Sequence, residues 1–203
     1  MKHGLPRLHA VTDDDVLGLS DFASRSRAIA LAGDVVIHVR GRSAGGRRLT
    51  EAAAAVREAG GTVFINDRAD VVKIVGAAGI HLPADGLPTE TVRRMLGPDI
   101  LIGRSTHSPE EGRAAAEAGA DYVFLGPIWE TTSHPTRQPL GPGAIAAAHP
   151  ARVIAIGGVT PERARICREA GAHGVAAISA LWWAPDPGSA AAEMLVSLGG
   201  ERG

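Results

Sequence analysis

Short runs of β-branched and aliphatic residues alternate with longer, alanine-rich amphipathic stretches along nearly the whole chain. The short runs read as strands at 8–11, 35–39, 62–65, 79–82, 100–102, 122–125, 153–156 and 174–178. Their near-continuous apolar character suits parallel strands covered on both faces. Between them, apolar positions recur with helical spacing at 22–31, 49–59, 70–77, 89–96, 109–118, 142–148, 161–170 and 189–198. Eight strands, each followed by a helix, predict a closed parallel (β/α)8 TIM barrel over an open sheet. A chain of 203 residues with 45% hydrophobic content supports one core, so residues 1–203 are expected to form a single domain.

Two helical segments resemble each other. Ser108-Pro-Glu leads to Glu117-Ala-Gly-Ala, and Thr160-Pro-Glu leads to Glu169-Ala-Gly-Ala. In each, Ser or Thr can cap the helix, Pro suits its first position, and Gly119 or Gly171 can end it in the left-handed conformation. The shared spacing fits an internal duplication of two βα units, and equally the common habits of alanine-rich βα units.

Charge then narrows the partners. With 21 Lys+Arg against 22 Asp+Glu there is no overall field to attract nucleic acid or an anionic membrane. Aromatic residues make up 3% of the chain, too few for base-stacking platforms. Cys167 is the sole cysteine, which rules out an internal disulfide and fits a reducing compartment. No apolar run approaches the length of a membrane helix, and no signal-peptide pattern opens the chain. A cytoplasmic protein with a small-molecule partner is expected, with room for a homo-oligomer.

In such a barrel the loops that leave the strands build the site. Polar residues crowd there: Thr12 to Asp14, His38 to Arg42, Asn66 and Asp67, His81, Arg104 to His107, the segment 126–137, Gly157 and Gly158, and Ser179. Gly157 and Gly158 would let backbone N–H groups of the seventh loop approach an anion, and Ile178 and Ser179 lead the eighth loop to the same spot. The same glycine pair would also satisfy a tight turn. The sixth loop is long and polar, and Thr131, Ser133, His134 and Arg137 could meet a phosphate if it folds over a ligand. His38, Arg40 and Arg42 alternate, which would place them on one face beside Asn66 and Asp67. That group would suit a polar heterocycle with an anionic tail, or a structural ion-pair network at the rim.

Taken in order, His9-Ala-Val-Thr-Asp-Asp, His38-Val-Arg, Ile65-Asn-Asp-Arg-Ala-Asp, Gly79-Ile-His-Leu, Ile102-Gly-Arg-Ser-Thr-His-Ser, Leu125-Gly-Pro-Ile, Ala155-Ile-Gly-Gly-Val-Thr and Gly174-Val-Ala-Ala-Ile-Ser resemble the thiamine phosphate synthase/TenI family. The resemblance implies the barrel fold, a phosphorylated thiazole substrate and one of two reactions. The synthase branch couples hydroxymethylpyrimidine diphosphate to the thiazole phosphate with Mg2+ and releases pyrophosphate. Its second-strand pattern Gln-x-Arg-Glu-Lys meets His38-Val-Arg-Gly-Arg here, so only the arginine is kept. Asp67 would be a Mg2+ ligand, while Asp85 matches the second acidic ligand only with a shifted loop. The TenI-like branch moves a double bond into the thiazole ring by proton transfer, without metal. His81-Leu-Pro, Gly103-Arg-Ser-Thr-His-Ser and Trp129-Glu-Thr are closer to that branch, although Pro127 stands where its acid/base histidine would be. The expected activity is therefore a TenI-like tautomerase with no cofactor. His134 and His81 would transfer protons, His38, Arg40, Arg42, Asn66, Ser105, Thr131 and Ser133 would bind substrate, and Gly157, Gly158, Ile178 and Ser179 would bind phosphate. Thiamine phosphate synthase is the alternative, and a non-catalytic thiazole or thiamine phosphate binder the second.

Overall fold

The computed structural model describes residues 4–131 and 136–199. Its elements follow in the order β1 (Leu8–Val11), α1 (Asp14–Leu17), α2 (Phe22–Ala30), β2 (Val35–Val39), α3 (Gly46–Glu58), β3 (Thr62–Asn66), α4 (Ala69–Val75), β4 (Gly79–Leu82), α5 (Thr89–Leu96) and β5 (Leu101–Thr106). The second half continues with α6 (Pro109–Glu117), β6 (Tyr122–Leu125), α7 (Gly143–Ala147), β7 (Val153–Ile156), α8 (Pro161–Glu169), β8 (Gly174–Ala177), α9 (Ser179–Trp182) and α10 (Pro187–Ser197). All eight strands are parallel and pair in sequence order, and β8 returns to β1 through Leu8 opposite Val175, so the barrel closes as expected. The short helices α1 and α9 are additions, each only one turn long. Helix α10 begins two positions before its expected start because Asp186 caps it through Ser189 N (3.0 Å) and Pro187 occupies its first turn.

Alternation along each strand sends one set of side chains outward and the other into the barrel. Outward residues such as Leu8, Ala10, Ile37, Ile65, Ile80, Val123 and Val175 join the layer beneath the helices. The interior holds Val11, Val36, Phe64, Tyr122, Phe124 and Ile154, among which His9, His38 and His81 are buried. Their rings pack closely in tilted and edge-on pairs, with the His81 and Phe124 centroids 3.9 Å apart. Gly103 makes room for this filling, since a Cβ there would collide with the Tyr122 ring.

The paired helix signals behave as the sequence implies. Ser108 Oγ accepts from Glu111 N (3.2 Å) and Thr160 Oγ1 from Arg163 N (3.3 Å), and Gly119 and Gly171 follow the helix ends at φ +88° and +97°.

Candidate active site

At the carboxyl ends of β1 and β2, Thr12 and Asp14 organise the rim. Thr12 is fully buried, and its hydroxyl donates to Arg40 O (2.7 Å) while accepting from Arg40 N (2.8 Å). The Asp14 carboxylate accepts from Ser43 Oγ (2.8 Å), Ser43 N (3.1 Å) and Arg42 N (3.0 Å). These bonds, the Ser43 hydroxyl first, hold its pKa below the usual carboxylate range. β2 ends at Val39, short of the expected alternation through Arg42, and the Arg42 amide donates to the Asp14 carboxylate. His38 points into the barrel and is fully covered. Arg40 is partly buried, with Arg42 near enough to lower its pKa further after burial, and its charge also reaches His81.

His81, on β4, bonds to Ser105 Oγ through Nε2 (2.9 Å) and to Tyr122 Oη through Nδ1 (3.2 Å). Burial drives its pKa well below the ordinary histidine value, so its ring is neutral near pH 7. Ser105 thus meets His81 at the mouth of the barrel, and Asn66 closes β3 opposite His81 in register.

Asp67 follows Asn66 and is the only non-glycine residue with positive φ (58°) among those described. Aspartate tolerates this region better than most residues, and such backbone geometry concentrates at functional sites. Its N–H donates to His81 O (3.0 Å), which ties the third loop to β4. Its pKa is raised by burial and then by the charge of Asp85, while Arg104 and Arg68 pull the other way. Asp85, in the fourth loop, is thus near enough for its charge to reach Asp67. Two hard carboxylates at adjacent strand ends suit Mg2+, which typically uses one or two protein carboxylates and completes its shell with water and substrate phosphate. Among the described residues no group of three or more His, Cys, Asp and Glu converges as a metal cage.

The sixth and seventh loops are joined by main-chain bonds from Ile128 N to Ile156 O (2.9 Å) and Trp129 N to Gly157 O (3.2 Å), and the sixth loop is closed on itself by Gly141 N to Ile128 O (3.0 Å). Gly157 and Gly158 have φ of +98° and +65°. Added Cβ atoms would lie 2.7 Å from Pro127 Cα and 2.5 Å from Glu130 O, so the glycines serve a tight turn and a close loop contact. Arg163 braces the corner, donating to Gly158 O (2.6 Å) with its guanidinium 5.1 Å from the Trp129 ring centre. Ile178 precedes α9 and Ser179 opens it, and the first N–H groups of a helix have no acceptor within it. Gly157, Gly158, Ile178 and Ser179 thus lie on neighbouring strand ends, β7 and β8. Thr131 is the last residue of the sixth loop described before position 136, and Ser133 and His134 lie outside the described residues.

Sequence reasoning gave Asp85 only a conditional place and gave no role to Arg104 or Thr12. Their contribution depends on contacts across 17 to 28 positions, which carry no local signature.

The family described as thiamine monophosphate synthase matches residues 8–181. A thiamine-phosphate synthase from Chlorobium luteolum is 40% identical, covering 97% of this chain and 95% of its own. Another from Anaeromyxobacter dehalogenans is 39% identical over 88% of this chain and 84% of its own. A bifunctional thiamine biosynthesis protein from Symbiobacterium thermophilum is 46% identical, but this chain spans only 32% of it. Among solved structures, a thiamine phosphate pyrophosphorylase from Pyrococcus furiosus superposes with a TM-score of 0.79 at 26% identity, covering 95% of each chain. The expected TenI-like tautomerase finds no support among these relatives, which are synthases by name. That expectation is corrected, and the absence of a titratable group at Pro127 agrees with the correction. The proton-transfer roles expected of His134 and His81 belonged to it. By its sequence, its fold and the arrangement of its strand ends, this chain belongs to the thiamine monophosphate synthase/TenI family.

Proposed function

We propose that this chain is a transferase of thiamine biosynthesis that joins hydroxymethylpyrimidine diphosphate to thiazole phosphate, forming thiamine phosphate and releasing diphosphate. In this reaction the bond between the pyrimidine methylene carbon and the diphosphate oxygen breaks, its electron pair leaving with diphosphate. A bond from the thiazole nitrogen to the same carbon replaces it. The observation that carries the reading is Asp67 at the end of β3, held at positive φ with its N–H on His81 O, with Asp85 beyond β4 near enough for its charge to reach it, an arrangement a metal-free tautomerisation does not need.

Asp67 and Asp85 would hold Mg2+, which when bound supplies positive charge to the departing diphosphate. Arg40, whose main chain is tied to the Thr12 hydroxyl, brings a cation to the rim beside Asp13 and Asp14 and within reach of His81, with Arg42 next to it. On the opposite arc, the turn at Gly157 and Gly158 and the first turn of α9 at Ser179 would take the thiazole phosphate through backbone N–H groups. The two anionic substrates would then sit on opposite sides of the mouth, with their reacting atoms between. His81 and Ser105 form part of the neutral floor beneath them.

Asp67→Asn and Asp85→Asn test the reading. Each should lower kcat/KM for thiamine phosphate formation by about 10²-fold or more, as expected when a ligand to a catalytic metal is lost. Full activity in both variants would refute it.

A further inference from the structure

Asp85 lies in a loop with little packing of its own: Ala84, Asp85, Leu87 and Pro88 are exposed. The loop is held from outside by one side chain. Arg104 on β5, opposite Leu82 in register, donates to Leu87 O (2.7 Å), Ala84 O (2.9 Å) and Gly86 O (3.1 Å). The three carbonyls bracket Asp85 on both sides. A turn bond from Gly86 N to Pro83 O (3.1 Å) is the loop's own contribution. Asp67 is fixed independently by its N–H bond to His81 O (3.0 Å).

We propose that Arg104 is a positioning residue that clamps the fourth loop so that Asp85 stays across from Asp67, and thereby sets the divalent-cation affinity of the pair. This rests on the synthase reading, which places a metal there. The planar guanidinium can span several carbonyls at once, whereas a lysine ammonium is a single flexible point and cannot reproduce the clamp. The two effects of Arg104 on a metal have opposite signs. Its charge, close enough to influence Asp67, disfavours a cation, while its clamp favours one. Removing the side chain therefore reveals which effect governs.

The test is Mn2+ binding to the intact chain, followed by electron paramagnetic resonance of the free ion, together with amide hydrogen exchange over residues 84–87. Arg104→Met should weaken Mn2+ binding by about tenfold, at the lower end for loss of an outer support to a metal site. It should also speed exchange in the loop, with the far-ultraviolet spectrum unchanged. Arg104→Lys, which keeps the charge and is the less disruptive variant, should show the same direction of change. Equal or tighter Mn2+ binding in both variants overturns the clamp alone. Absence of Mn2+ binding to the wild-type chain overturns the metal reading and the clamp together, and the same Asp67→Asn variant used above provides the reference for non-specific binding.

Discussion

His9 Nδ1 lies 2.7 Å from His38 Nε2 inside the barrel, and the two rings are fully buried. His9 Nε2 sits 3.0 Å from Pro6 O, a group that can only accept, so that nitrogen carries the proton. His9 Nδ1 is then the acceptor, His38 Nε2 the donor, and His38 Nδ1 a bare acceptor with no protein partner among the described residues. Neither ring can take a second proton without losing this contact or leaving a buried charge.

Stability should consequently fall in mild acid. Burial pushes the His9 pKa down from 6.5 to about 3 and that of His38 well below its ordinary value. Above pH 6.5 both folded and unfolded chains are neutral at these sites and the contribution is complete. As pH falls below 6.5 the unfolded chain binds protons that the folded chain refuses, and stability is lost progressively toward pH 3. Each such histidine contributes a slope of about 1.4 kcal/mol per pH unit. Urea unfolding between pH 7.5 and 5 should show the decline, and His9→Asn should make it shallower. Equal slopes in the two proteins would contradict this assignment.

The glycine turn at the seventh loop should couple folding to ligand binding. Gly158→Ala forces a side chain against Glu130 O at φ +65°, so it should lower both thermal stability and affinity for thiazole phosphate. Gly171→Ala has a similar backbone strain, φ +97°, but open space around its Cβ. It should cost about 1 kcal/mol of stability and leave substrate affinity unchanged. Calorimetric titration with thiazole phosphate separates the two, and equal affinity losses would show that the turn has no special relation to the ligand.

Much of the barrel was legible because its strands are short β-branched runs in which nearly every residue is buried, while two of its helices carry their own caps at Ser108 and Thr160. The expected β5, 100–102, was shorter than the observed Leu101–Thr106, since Arg104 and Ser105 read as loop residues although both lie in the strand. Arg104 reaches out to the fourth loop and Ser105 inward to His81. Strand alternation beyond Val39 misled for a related reason, because the Asp14 carboxylate, 28 positions away, captures the Arg42 amide and ends the strand. The placing of Asp85 likewise involves Arg104, whose bonds to Ala84, Gly86 and Leu87 carbonyls are tertiary contacts that local pattern does not encode.

Arg40 should act on one substrate and not the other. Its charge stands just past β2 and reaches His81 on β4, on the arc of the mouth proposed for the diphosphate, so Arg40→Met should weaken the diphosphate substrate by roughly tenfold, within the range for loss of a charge-assisted hydrogen bond. Affinity for thiazole phosphate should stay within about twofold on the same basis. Steady-state kinetics with each substrate varied in turn would reveal it, and an equal rise in both KM values would place Arg40 elsewhere.

The central claim is coupling of two substrates. Purified protein incubated with hydroxymethylpyrimidine diphosphate, thiazole phosphate and Mg2+ should yield thiamine phosphate and diphosphate in equal amounts, with no product when a chelator removes the metal. Absence of thiamine phosphate under these conditions, from a folded protein that binds both substrates, would contradict the account.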